Sequence, residues 1–329
     1  MTTASLPLHD RLRVVASTLE RQFLGKDEII RLLMIAVVAG EHCVLLGPPG
    51  TAKSALIRSM AELMQARYFE YLLTRFTEPN EIFGPVDIAA FREGVYRRNT
   101  AGMLPEAEVV FLDEVFKSNS AILNALLTLL NEREFDNGSA RARVPLISVV
   151  GATNEVPAEE ALMAFHDRFL VRVPVAGVSD AVFAALLALP AEASADTGVA
   201  EPITAEELRA TLAARERVAL PPALLAALAG LRAFAQSLSI TVSDRRWRQL
   251  VGLLRSAAFT EGRSAVDPLD LWLVPCVVAA QPGQVGALQD WFVREVAQAE
   301  PQEAPWLTRA VEAFEKQLEI ERSLPADAR

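Results

Sequence analysis

Eight residues, Gly47-Pro48-Pro49-Gly50-Thr51-Ala52-Lys53-Ser54, follow the apolar run His42 to Leu46 and open a helix-like segment. Strand, tight turn and helix must then follow one another without a gap, which few folds permit. A Gly-rich turn there leaves backbone N–H groups free to surround an anion, and the helix N-terminus adds partial positive charge. Lys53 supplies a point charge for β- and γ-phosphate oxygens, and Ser54 offers a hydroxyl to a magnesium ion. Gly47 to Ala55 are therefore the candidate nucleotide-binding segment. Ala52 stands where the strict pattern has glycine, so its Cβ is free of cost only if its φ is negative.

Around this motif the periodicity alternates. Apolar runs recur at Tyr68 to Leu73, Val109 to Leu112, Leu146 to Gly151 and Leu170 to Val173, separated by helical patterns such as Ser120 to Asn131. Buried-type strands alternating with helices predict an α/β fold with a parallel sheet covered on both faces. Leu6 to Ala39 read as two amphipathic helices around the turn Leu24-Gly25-Lys26-Asp27. Phe83 to Met103, with Gly84-Pro85 and Glu93-Gly94, reads as a hairpin-bearing insertion, and Asp136-Asn137-Gly138 marks a second hairpin within Arg133 to Val144. Past an Ala-rich linker at 191–203 the pattern is helical throughout. The expected domains are 1–190 for the α/β unit, 204–282 for an all-helical lid and 283–329 for a helical extension, whose Trp306, Leu307, Val311, Phe314 and Leu318 make an apolar stripe.

Composition limits the functions available. A net charge of −10 disfavours a broad basic face for a nucleic-acid backbone, although Arg97, Arg98, Arg141 and Arg143 could form a local patch. Cys43 and Cys276 lie in apolar runs and read as reduced core residues, and His9, His42 and His166 form no ligand cluster. The N-terminus lacks a basic stretch followed by an apolar one, and no uncharged apolar run reaches spanning length, so membrane insertion is not expected and a cytoplasmic location is.

Four further sites carry candidate chemistry. Val109 to Leu112 end in Asp113-Glu114, where ligands of open α/β sheets bind; Asp113 could hold magnesium through water and Glu114 accept a proton from an attacking water. A strand-to-helix cap is the plain alternative. The next strand ends in Asn154, a neutral amide able to bond both γ-phosphate and water without adding negative charge. Arg168 either pairs with Asp167 or is presented to the nucleotide of a neighbouring subunit. Ser243 is a candidate N-cap, and Arg245 in the first turn behind it opposes the helix dipole, so it either faces phosphates or is solvated beside Asp244.

With these residues in hand the chain resembles the MoxR family of AAA+ ATPases, and within it the RavA branch. The resemblance rests on Gly47 to Ser54, Leu73-Thr74-Arg75-Phe76, Phe83-Gly84-Pro85, Leu104 to Glu108, Phe111-Leu112-Asp113-Glu114, Ala121 to Asn124, Asn131-Glu132-Arg133 and Ser243-Asp244-Arg245-Arg246-Trp247. It implies a sheet of strand order 5-1-4-3-2, a helix-two insert, a pre-sensor hairpin and a helical lid, and the family tolerates alanine at position 52. It further implies ATP and ADP with Mg²⁺ as ligands and hydrolysis by homo-hexameric rings. In those rings Arg168 matches the arginine acting in trans and Arg245 the second sensor. Partners of the family are von Willebrand factor A domain proteins, and its roles are chaperone-like. Two rival expectations are a nucleic-acid-coupled motor and a nucleotide-switched interaction protein that does not hydrolyse.

Overall fold

The structure is a computed structural model that describes residues 7–138, 140–157, 159–188 and 203–298. Helices α1 (Leu8–Gln22) and α2 (Asp27–Val38) come first, with Gly25 at φ 69° in the turn between them. Strand β1 (Cys43–Leu46) runs through the Gly-rich loop into α3 (Lys53–Leu63) and on to β2 (Tyr68–Leu72). Short helices α4 (Pro79–Phe83) and α5 (Ile88–Arg92) precede β3 (Val109–Asp113) and α6 (Ser120–Glu132). The hairpin β4 (Glu134–Asn137) and β5 (Ala140–Arg143) leads to β6 (Ser148–Thr153), α7 (Glu160–His166), β7 (Val171–Pro174) and α8 (Asp180–Leu187). Helices α9 (Ala205–Ala214), α10 (Pro222–Ser237), α11 (Asp244–Thr260), α12 (Val274–Val278) and α13 (Val285–Phe292) follow.

Five parallel strands make one sheet in the order β2-β3-β6-β1-β7. Counting core strands alone, this is the expected 5-1-4-3-2. Alternate residues feed two cores: Cys43 and Leu45 face the one built with α1, α2, α3 and α9 to α13, while Val44 faces the one built with α4 and α6. The first core is continuous from Leu12 to Trp291, so the later helices pack on the same apolar mass as α2 and β1. Both cysteines are buried and free within it, as their apolar surroundings predict.

Buried His42 ties the middle of the sheet to α6. Its Nδ1 accepts the Val149 N–H at 3.0 Å, which leaves Nε2 to donate to the Leu130 carbonyl at 3.2 Å. Both bonds need the neutral ring, and burial lowers its pKa well below the usual histidine value.

The insertion differs from expectation. Instead of a hairpin it holds α5, closed by one isolated antiparallel bridge between Val86 and Arg98. The cause is local: the Asp87 carboxylate caps the N–H groups of Ala89 and Ala90, and Gly94 at φ 79° ends the helix rather than turning a strand. The second hairpin forms as expected and docks on this insertion. The Asn137 amide accepts from Arg98 N (2.6 Å) and donates to Arg98 O (3.1 Å). A Cβ on Gly138, itself at φ 70°, would stand 1.7 Å from Tyr96 O. The linker at 191–202 and the Trp306 stripe lie outside the described residues.

Candidate nucleotide-binding site

The Gly-rich loop sits at the carboxyl end of β1, which lies between β6 and β7. A Cβ on Gly47 would lie 2.0 Å from the Val175 carbonyl, so only glycine lets the loop leave the sheet here. Ala52 adopts φ 61° and ψ 24° at the N-cap of α3, a correction to the negative φ that an alanine there implied. The exposed Cβ tolerates the left-handed backbone at a cost of about 1–2 kcal/mol. No side chain caps α3, so the N–H groups of its first turn point out without an internal acceptor. Lys53, 8% exposed, donates from Nζ to the carbonyls of Gly47 (2.7 Å) and Pro48 (2.9 Å), holding the loop closed on itself. Ser54 is half-buried and its hydroxyl has no partner among the described residues. Uncapped amides, a lysine and a free hydroxyl fit a magnesium-bound triphosphate in donor chemistry.

Lys26 lies near enough to this site for the Lys53 charge to act on it. It is 7% exposed, its Nζ donates to Ala176 O at 2.6 Å, and the Lys53 charge adds to burial in lowering its pKa. Its position in a turn well before Lys53 in the chain gives no sign of that proximity.

The acidic strand end forms beside the loop. Asp113 ends β3 half-buried, and its Oδ1 accepts the Glu114 N–H at 2.9 Å. Glu114 stands at φ 51° and ψ 43°, a left-handed backbone that redirects its carboxylate out of the strand. There Oε1 accepts from the Asn154 amide at 3.0 Å and Oε2 lies 3.3 Å from Lys117 Nζ. The ends of β3 and β6 thus bring Glu114 and Asn154 together; Glu114 also stands at the N-cap of the short 3-10 turn Val115–Lys117, but its side chain caps no amide there.

The two candidate arginines are placed differently. Asp167 pairs with Arg172 (3.2 Å) and Arg246 (2.8 Å) rather than with Arg168. The half-buried Arg168 side chain has no hydrogen-bond partner among the described residues. Ser243 does cap α11, its hydroxyl accepting from Arg246 N at 3.3 Å. Arg245, however, is exposed and lies electrostatically close to Glu41 and His42, the residues that enter β1. That is the end of the strand opposite the phosphate loop, about 13 Å away at 3.3 Å per residue. Gln249, bonded to Glu41 at 2.7 Å, and Arg246, bonded to carbonyls entering β7, fix α11 there, so Arg245 does not face its own chain's loop.

Of the arginines that suggested a nucleic-acid patch, Arg97 pairs with Asp87, Arg98 bonds Asn80 and Gly84 O, and Arg141 is held by Glu132, Glu134 and Asp136. Arg143 is exposed, and its side chain has no hydrogen-bond or ion-pair partner among the described residues. Among the described residues no helix is long and apolar enough to cross a membrane.

Phosphate loop, acidic strand end and strand order together define the AAA+ class of fold. The profile of the MoxR domain in MoxR-vWA-beta-propeller ternary systems matches residues 10–213, and that of an AAA lid domain matches 223–292. The chain belongs to the MoxR family of AAA+ ATPases. An uncharacterised protein of Methanocaldococcus jannaschii is 40% identical over 263 residues, covering 79% of this chain and 68% of its own. Protein MoxR of Paracoccus denitrificans is 28% identical over 301 residues, covering 83% and 88%. A solved structure of a candidate ATPase from Cytophaga hutchinsonii shares the fold with a TM-score of 0.72 at 17% identity, over 88% of this chain and 94% of that one.

Proposed function

We propose that this protein is a magnesium-dependent ATP hydrolase that works as a homo-hexameric ring with a von Willebrand factor A domain partner in chaperone-like remodelling or maturation. One observation carries the catalytic part: Glu114 and Asn154 meet at 3.0 Å on neighbouring strand ends, beside the loop that holds Lys53. Bound magnesium and ATP supply the scissile anhydride and the charge that polarises it. Lys53 leaves the Gly47 and Pro48 carbonyls for phosphate oxygens, and the uncapped amides of Thr51 to Ala55 receive the rest of the negative charge. Ser54 and Asp113 are the residues that would hold the metal, Ser54 with its hydroxyl and Asp113 through water. Glu114 takes the proton of the attacking water, and Asn154 orients both that water and the carboxylate.

Arg168, without a hydrogen-bond partner among the described residues, reaches the nucleotide of the adjacent subunit and offsets charge in the transition state. Arg245 belongs to the same assembly rather than to its own loop. The match to the MoxR domain of MoxR-vWA-beta-propeller systems supports a von Willebrand factor A domain partner. The motifs from Gly47 to Ser54 through Ser243 to Trp247, taken together, support a place near the RavA branch.

Phosphate release by a Glu114→Gln variant tests the catalytic assignment. Nucleotide affinity should persist while hydrolysis falls by roughly 10²–10⁴-fold, the usual contribution of a general base. Hydrolysis at the unsubstituted rate rejects Glu114 as the base.

A further inference from the structure

Two other arginines hold the segment that carries Arg168. Arg246, in the first turn of α11 and 5% exposed, donates from Nη1 to the carbonyls of Leu170 (3.1 Å) and Val277 (2.8 Å). Its Nη2 donates to the Asp167 carbonyl (2.9 Å), the Asp167 carboxylate (2.8 Å) and the Phe169 carbonyl (3.3 Å). Arg172 of β7 adds a bond from Nη2 to the same carboxylate oxygen (3.2 Å) and one from Nη1 to Ala279 O (2.9 Å). Three of the four carbonyls on Arg246 therefore belong to residues 167, 169 and 170, which flank Arg168. The remaining one, with Ala279 O on Arg172, belongs to α12 and the residue that ends it.

The arrangement is expensive as mere packing. Two buried guanidiniums share one carboxylate, whose side chain is 56% exposed; burial lowers the pKa of both, and the Arg246 charge lowers that of Arg172 further. Apolar residues of similar volume would fill the space at less cost in desolvation. What the pair provides is direction, since a planar fork fixes several carbonyls at once in a way neither an ammonium nor an aliphatic side chain can. The neighbouring side chain at 168 has no hydrogen-bond partner among the described residues.

We propose that Arg246, Asp167 and Arg172 form a positioning clamp that sets how Arg168 is presented to the adjacent subunit and couples that presentation to α11 and α12. The inference rests on the ATPase reading above. Arg246 touches no nucleotide in this scheme; it acts through the Asp167–Leu170 backbone. A shift of α11 relative to β7 then reaches Arg168 through three carbonyls rather than through deformable apolar contacts.

Mixed assemblies of full-length chains test the clamp. Arg168→Ala chains keep intact phosphate sites and Glu114→Gln chains keep intact Arg168, so mixing the two restores hydrolysis at their junctions. Adding Asp167→Ala to the Glu114→Gln chain should cut the restored rate by roughly tenfold or more, because the finger is then misdirected. Adding it instead to the Arg168→Ala chain, where there is no finger to position, should leave the restored rate within about twofold. Arg246→Lys should behave alike, and if that chain fails to fold, Asp167→Ala alone decides. Equal restoration in both arrangements, or equal loss in both, overturns the clamp. Absence of hydrolysis by the unsubstituted protein overturns the ATPase reading and the clamp with it, and is seen before any chains are mixed.

Discussion

Two residues with left-handed backbones, Ala52 and Glu114, flank the site and are strained for different ends. At Glu114 the strain aims a carboxylate at Asn154. At Ala52 it serves only the entry to α3, so Ala52→Gly should raise stability by about 0.5–1 kcal/mol, the left-handed penalty removed less the added freedom of the unfolded chain. A denaturant midpoint that stays put or falls contradicts that account. The buried histidines make a second test. The folded pKa of His166 is lowered by burial to about 3 and that of His42 lies well below normal, so below pH 6.5 the unfolded chain binds more protons than the folded one. Stability from these rings is present in full above pH 6.5 and declines as pH falls, by about 1.4 kcal/mol per pH unit for each ring. Denaturant unfolding at pH 7 and pH 5 should show this loss, and His166→Leu should remove the share of one ring; an unchanged slope contradicts the neutral assignment.

Among the elements, the docking of β4–β5 on the insertion is the most exposed to a single change. Gly138→Ala places a Cβ on the Tyr96 carbonyl at a positive φ, and should cost more than about 2 kcal/mol or release the hairpin, read as new amide exchange at Arg98 and Asn137. Unaltered exchange with unaltered stability contradicts the docking. Strands and long helices were legible because their cause is local periodicity: β1, β3, β6 and β7 lie where apolar runs predict them, and Ser243 caps α11 as its position suggests. Cases where two local signals conflict were not legible. Gly84-Pro85 and Glu93-Gly94 mark turns equally well in a hairpin and around a capped helix, and only the Asp87 cap decides. Nor does adjacency in sequence tell Arg245 from Arg246: the buried one is set by carbonyls 76 to 79 residues away along the chain. Residue 52 was misjudged because its φ depends on the whole loop.

For the molecule as a whole, the later helices share one apolar core with α1, α2 and β1, so their motion relative to the phosphate loop requires that core to slide as a unit. In an assembled ring Arg168→Ala should abolish turnover while leaving nucleotide affinity intact, as expected of a group that acts on the neighbour's nucleotide; full ring activity contradicts that role. All of this depends on a triphosphate binding where β1 becomes α3. Titration calorimetry with ATP at millimolar magnesium measures it most directly: the unsubstituted protein should bind, and Lys53→Ala should lose about tenfold or more of that affinity with the removal of a charge-assisted contact. Absence of binding by the unsubstituted protein, or binding that Lys53→Ala leaves unchanged, contradicts the account.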